Sequence, residues 1–210
     1  MKELSDKSLI EGGPRKNTPH FEPDDKEILT SEVARLGAEN LLEFGPGTST
    51  EFFLTTPLKR IVTCEYLDEW LTVAREQFKD EARVTVLPFT DTFPVEVEGL
   101  DPDEKFDIGF IDAPKGFNPV RKIHPGFADT SRLNTCMFAL ERCKVVLLHD
   151  GKRPLERGTL GRLWLMGYQY EFLPSRLGLA RITKRELQPH QPDPQSVTEP
   201  GGTTTGANAE

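Results

Sequence analysis

Long apolar runs are missing from this sequence. None approaches the roughly 20 residues a bilayer-spanning helix needs, and the N-terminal stretch MKELSDKSLIEGGPRK lacks the apolar core of a secretory signal. The expectation is a cytoplasmic protein with no membrane contact. Positive charge is also in short supply. With 26 Lys and Arg against 34 Asp and Glu the net charge is −8, which excludes a general electrostatic attraction to nucleic acid. Cysteine is sparse: Cys64, Cys136 and Cys143 form no C-x-x-C pair and cannot all pair within the chain. They read as buried, reduced thiols, with Cys136 and Cys143 on one face of a helix beside Leu140.

What is present is a chain of 210 residues, enough for one domain with a sizeable core. Residues 1–22 are polar and contain Gly12-Gly13-Pro14, so they read as an irregular arm. From Pro23 to Gly37, Ile28, Leu29, Val33 and Leu36 recur at helical spacing, with Asp24-Asp25 as cap candidates and Gly37 as the stop. Strands then alternate with helices. Leu41-Leu42 leads to Glu43, a short helix covers Glu51 to Thr55, Arg60 to Glu65 is a strand, and Leu67 to Phe78 is a helix with Trp70, Leu71, Ala74 and Phe78 on one face. Further strands follow at Arg83 to Leu87, Phe106 to Asp112 and Lys144 to Leu148, with helices at Thr130 to Arg142 and Leu155 to Met166. Tyr168 to Leu173 and Leu179 to Ile182 make an antiparallel hairpin. The pattern predicts an α/β fold over residues 23–184: a doubly wound, Rossmann-like, mostly parallel seven-stranded sheet ending in that hairpin. Residues 185–210 hold too few apolar groups to offset ordering entropy and are expected to be disordered.

The stretch ENLLEFGPGTST, residues 39–50, concentrates the first functional signal. A short apolar run ends in Glu43, passes through Gly45-Pro46-Gly47, and enters Thr48-Ser49-Thr50, which are good helix-start residues. Glycine admits positive φ and close backbone approach, so this junction suits a nucleotide-sized ligand lying across a strand end. The dinucleotide fingerprint G-x-G-x-x-G fails here, since Thr50 holds its third position. An acid two residues before the first glycine would repel a pyrophosphate and favour an ammonium or a sulfonium. A second acid, Glu65, ends the next strand about 20 residues on, the spacing of a ribose-binding acid.

This E-x-G-x-G pattern with Glu65 after IVTC resembles the class I S-adenosylmethionine-dependent methyltransferases. The resemblance implies that Glu43, Gly45, Gly47 and Thr48 hold the methionyl end of S-adenosylmethionine and that Glu65 accepts hydrogen bonds from the ribose. Thr90-Asp91 stand where such enzymes often contact adenine, and a turn Asp before Pro94 is the plainer reading of Asp91. A narrower resemblance lies downstream. The run D-A-P-K-G-F-x-P from Asp112, a later Pro125-Gly126, a helix containing Arg132, and V-x-L-H-D-x-x-R-x-x-E at Val146 to Glu156 are similar to the glucuronoxylan 4-O-methyltransferase (DUF579) family. In that family Arg-Met follows the Pro-Gly directly, where this chain has Phe127-Ala128.

Acids at two strand ends carry the chemistry. Asp112 and His149-Asp150 each close an apolar strand, and ligands in doubly wound folds bind outside those carboxyl ends. Methyl transfer is an in-line displacement, and a sugar hydroxyl needs a base or a metal to give up its proton. His149, with an ordinary pKa near neutrality, is the candidate base. Asp112 and Asp150 are alternatively the ligands of a divalent ion, Mg²⁺, Mn²⁺ or Co²⁺, that would acidify the acceptor. The plainer reading of His149-Asp150 is a structural turn. Arg153, Arg157 and Arg162 read either as partners for an acidic substrate such as a uronate or as a solvated helix face. The expected function is O-methylation of a small-molecule or carbohydrate hydroxyl. A metal-dependent catechol-type O-methyltransferase, with Gly151 where an amide side chain usually stands, and a non-catalytic partner-binding domain are the alternatives.

Overall fold

The structure is a computed structural model and describes residues 22–90, 92–113 and 132–185. Along the chain run α1 (Pro23–Leu36), β1 (Asn40–Phe44), α2 (Thr48–Phe53), β2 (Arg60–Glu65), α3 (Asp68–Gln77), β3 (Val84–Pro88), β4 (Phe106–Ile111), α4 (Leu133–Arg142), β5 (Cys143–Leu148), α5 (Pro154–Leu165), β6 (Tyr168–Phe172) and β7 (Ala180–Lys184). Seven strands form one sheet in the order β3-β2-β1-β4-β5-β7-β6. β1 to β5 pair in parallel, and β7 enters antiparallel between β5 and β6. This is the predicted class. The chain winds outward from β1 to β3 and then returns to β4, so the strand order reverses between β1 and β4. At such a switch point the two crossovers part and leave a crevice at the carboxyl edge.

The central strands are apolar nearly throughout because helices cover both faces. On one face Leu42, Phe44, Val62, Val146 and Leu148 pack against Cys136, Ala139 and Leu140 of α4 and Leu160 and Leu163 of α5. On the other, Leu41, Ile61, Ile108, Phe110 and Leu147 meet Leu29 and Val33 of α1 and Phe53 of α2. Each fully buried Leu, Ile or Phe side chain contributes roughly 1.5–3 kcal/mol by leaving water. Among the described residues no helix is long and apolar enough to cross a membrane.

Several boundaries differ from the sequence expectation, each for a local reason. α1 ends as expected at Gly37, in the left-handed region at φ 56. At its start the flanking residue is Glu22, and Asp25 caps the helix as expected, with Oδ2 accepting the Glu22 N–H at 3.2 Å, but does so fully buried. α2 begins at Thr48, at the expected helix-start residues, with Gly47 in the flanking position, and ends at Phe53 rather than Thr55. Cys143 does not share a helical face with Cys136. It opens β5, since the chain passes from α4 to extended backbone at Cys143 with no intervening turn. The readings of residues 1–21, Asp91, the loop 114–131 and the tail 186–210 lie outside the described residues.

Candidate functional site

Backbone bonds continue the ladder beyond the strand ends and line up the predicted residues. Gly45 N–H donates to the Cys64 carbonyl at 2.9 Å, Asp112 N–H to Phe44 at 2.9 Å, and His149 N–H to Ile111 at 3.0 Å. Gly45, Asp112 and His149 therefore stand side by side across β1, β4 and β5. Gly45 takes φ 100, and a Cβ on it would lie 3.0 Å from the Ala113 Cβ and 3.2 Å from the Ala113 nitrogen. Only glycine allows the turn to lie this close to the end of β4. Gly47 is different: a Cβ there would meet nothing within 4 Å, so the turn's outer side is open.

Glu43 lies beneath this turn rather than across its open side. It is fully buried, and Ser49 Oγ and Thr50 Oγ1 donate to its two oxygens at 2.5 and 2.6 Å. Thr50 Oγ1 also accepts the Gly47 N–H at 3.1 Å, so the carboxyl group, the hydroxyls and the turn form one unit. Burial pushes the Glu43 carboxyl up to about 7, against the pull of the hydroxyl donors. Glu65 ends the adjacent strand β2, where Oε1 accepts the Tyr66 and Leu67 N–H groups at 2.8 and 2.9 Å. Those two bonds fix its carboxylate at the strand end. Thr48 is exposed on the first turn of α2, and Asp91 is outside the described residues.

The second group is held by charge. Asp112 Oδ1 accepts from His149 Nδ1 at 3.1 Å and from Arg132 Nη2 at 3.0 Å. His149 Nε2 lies 3.4 Å from Asp25 Oδ2 on α1, and Asp150 Oδ2 pairs with Arg153 at 2.7 Å. Arg132, just before α4, is 2% exposed, donates to the His149 carbonyl at 2.8 Å, and reaches Glu156 of α5 at 3.8 Å. Burial would raise the Asp112 carboxyl, but the Arg132 charge and the His149 bond outweigh it and hold it at about 2. Burial likewise opposes charge on His149, yet Asp112 and Asp25 raise it to about 10. The expectation that His149 is a neutral base is therefore corrected: the flanking carboxylates of Asp112 and Asp25 favour its protonated form, and both ring nitrogens are already engaged. Asp150 sits at φ 58, a conformation that costs a non-glycine residue about 1–2 kcal/mol and recurs at functional sites.

Asp112, His149 and Asp150 each bring a donor atom within 4.8 Å of the others, a grouping that can hold a metal ion. The fit is through the carboxylates. Asp150 Oδ1 is buried and accepts no hydrogen bond from the described residues, which suits a cation, whereas both His149 nitrogens are committed to carboxylates. An all-oxygen pair of this kind suits a hard divalent ion that keeps water or substrate as its remaining ligands.

Sequence reasoning missed Asp25 as a site residue and gave Arg132 and Glu156 no role. Each had a signal. Asp25 shares a helical stripe with Leu29 and Val33, Arg132 with Thr135, Cys136 and Ala139, and Glu156 with Thr159, Leu160 and Leu163, all buried. A charge on a buried stripe needs a buried partner.

No known family pattern matches the sequence, and no curated protein does. Solved structures do. A Staphylococcus aureus protein assigned provisionally as a caffeoyl-CoA O-methyltransferase matches with a TM-score of 0.56 at 17% identity, over 80% of this chain and 87% of that one. An O-methyltransferase from Bacillus cereus, solved in complex with SAH, matches at 0.50 and 21%, over 78% and 82%. The precorrin-6y C5,15-methyltransferase of Geobacter metallireducens matches at 0.54 and 17%, over 86% and 96%. These proteins differ in the atoms they act on and share an architecture. With its strand order, its antiparallel β7 and its glycine turn after β1, this chain has the Rossmann-like methyltransferase fold.

Proposed function

We propose that this protein is an S-adenosylmethionine-dependent methyltransferase that transfers the methyl group to an oxygen, with a sugar or other small hydroxyl compound as acceptor. The observation that carries this reading is the pairing of the glycine turn after β1 with Glu65 at the end of adjacent β2, on the edge of the sheet where the strand order reverses. Glu65, anchored by two backbone N–H groups, accepts from the ribose hydroxyls. Gly45 and Gly47 let the methionyl portion approach the backbone, and Thr48 offers a hydroxyl on the exposed side of the turn. Glu43 acts from below by fixing that turn. The Bacillus cereus neighbour, bound to SAH, supports this choice of cofactor.

Asp112 is the group that meets the acceptor. Its side chain is 31% exposed, whereas those of His149 and Asp150 are 3% and 4% exposed. A carboxyl held at about 2 is a weak base for a sugar hydroxyl, so Asp112 orients the acceptor and takes its proton only once that hydroxyl has been acidified. A divalent ion held by Asp112 and Asp150 would supply that acidification. The sugar preference rests on the resemblance of the Asp112 and Val146 to Glu156 segments to the glucuronoxylan 4-O-methyltransferases.

Calorimetric titration with S-adenosylhomocysteine tests the reading. Micromolar affinity, on the order of −8 kcal/mol, is expected in wild type, with a loss of tenfold or more in Glu65→Ala. A folded wild type that does not bind, with or without Mg²⁺, Mn²⁺ or Co²⁺, overturns it. Labelled-methyl transfer to uronate-bearing oligosaccharides and to catechol then separates the two acceptor classes.

A further inference from the structure

His149 is gripped at both edges of its ring, and the second grip comes from a helix on the opposite face of the sheet from α4 and α5. Nδ1 faces Asp112 at 3.1 Å, while Nε2 faces Asp25, 124 residues away in sequence, at 3.4 Å. Asp25 is fully buried, and its Oδ1 accepts no hydrogen bond from the described residues. Helix capping alone does not account for this placement. A capping acid works at the solvent-exposed end of a helix, and burying a carboxylate carries a desolvation cost of several kcal/mol. An imidazole held at one nitrogen can still swing about its Cβ–Cγ bond, whereas one held between two carboxylates is fixed in plane and in direction.

We propose that Asp25 is a positioning residue of the site: it holds the His149 ring by Nε2 so that Nδ1 is directed at Asp112, and it thereby sets the orientation of the carboxylate that meets the acceptor. This rests on the reading of Asp112 as the acceptor-facing group. Three elements converge on that carboxylate. Arg132 approaches from the start of α4, the His149 ring from the end of β5, and Asp25 acts through the ring from α1. The first turn of α1 thus belongs to the site as well as to the core. Because both ring nitrogens are occupied, His149 serves as a strut between carboxylates and not as a metal ligand.

The test is nuclear magnetic resonance on the full chain with ¹⁵N-labelled histidine, the His149 signals among the four histidines being assigned with His149→Gln. Wild type should show an Nδ1–H proton protected from solvent exchange by Asp112. In Asp25→Ala the Nδ1–H, which Asp25 does not touch, should exchange at least tenfold faster as the ring is released. Asp25→Asn keeps the shape and the helix cap and guards against a failure of Asp25→Ala to fold; it should give a smaller change in the same direction. Unchanged Nδ1–H protection in a folded variant overturns the proposal. Titration of the same samples with S-adenosylhomocysteine keeps the two readings apart: absence of binding in wild type removes the methyltransferase reading, while the exchange data still decide whether Asp25 directs the ring. With an acceptor found by the transfer screen, Asp25→Asn should lower kcat with the cofactor KM unchanged, and the loss should vanish in a His149→Gln background. A loss that persists in that background overturns the route through His149.

Discussion

The carboxyl edge of the sheet carries two sets of acids, one buried and one partly exposed, and the chain treats them in opposite ways. At the β1 end Glu43 is enclosed by hydroxyls, which donate hydrogen bonds but bring no charge, and its carboxyl rises to about 7. At the β4–β5 end Asp112 is enclosed by the Arg132 guanidinium and the His149 imidazolium, and its carboxyl falls to about 2. Burial pushes both in the same direction, so the difference lies in the partners. On the proposed function the β1 end is the cofactor loop, where a firm support with little field of its own is useful, and the β4–β5 end meets the acceptor, where charge is useful. The β1 end is built from Ser and Thr, the other from Arg and His.

Removing the cation should break the comparison most severely. Arg132→Met leaves Asp112, Glu156 and the His149 carbonyl without their shared partner in a buried setting. A loss of about 3–5 kcal/mol is expected, read by urea unfolding at pH 7. A loss below about 1 kcal/mol would mean that water reaches these groups and that the site is not charge-built.

The pH dependence of stability sharpens the contrast. Glu43 is raised in the folded state from 4.5 to about 7, so its protonated form is favoured by folding, and the associated stability is present below pH 4.5 and lost as pH rises through 7. Glu43→Gln should abolish that slope and gain up to about 3 kcal/mol over wild type at pH 8. His149 is raised from 6.5 to about 10, so its contribution is present below pH 6.5 and lost as pH rises through 10. Asp112 is lowered from 3.8 to about 2, so its contribution is present above pH 3.8 and lost as pH falls through 2. Melting temperatures across pH 2–11, with a chelator present, should therefore show that Glu43→Gln flattens the 4.5 to 7 window, whereas His149→Gln flattens the 6.5 to 10 window and also weakens the acid limb, because His149 helps to hold Asp112 low.

The strands and the glycine turn were legible in the sequence because their signals are local. RIVTCE reads as a strand from its own apolar run, and it is β2 without a residue's error. The hairpin of β6 and β7 was equally plain from the Pro-Ser-Arg-Leu-Gly link. The acids at the strand ends were found because topology places them there whatever surrounds them. Their partners were not. The pKa of His149 depends on Asp25, which is brought to it only by the packing of α1 on the sheet, and no window of sequence contains both. Glu43 was read as facing a cationic ligand because its charge was assumed, whereas burial and the hydroxyls of Ser49 and Thr50 change both its direction and its charge.

A milder change probes the neutral end. Ser49→Ala removes one of the two hydroxyls that donate to Glu43 and leaves Oε1 buried without that bond. About 1–3 kcal/mol of stability should be lost above pH 7, where Glu43 is charged, and less at pH 5, where the protonated carboxyl can turn its own proton toward a neighbour. Equal losses at both pH values would show that Glu43 stays neutral throughout and that the β1 end carries no charge at all.

The smallest effect belongs to the rim of the charged end. Arg153 pairs with Asp150 at 2.7 Å, but its side chain is 49% exposed, so water can replace it. Arg153→Ala should cost about 1 kcal/mol or less at low salt and almost nothing at 1 M salt, in contrast to Arg132→Met, whose penalty should be nearly independent of salt. That difference in salt response separates the cation that builds the site from the one that only borders it. If the two losses fell together with added salt, Arg132 would be a solvated residue, and the opposition between a neutral end and a charged end would reduce to a difference in side-chain type.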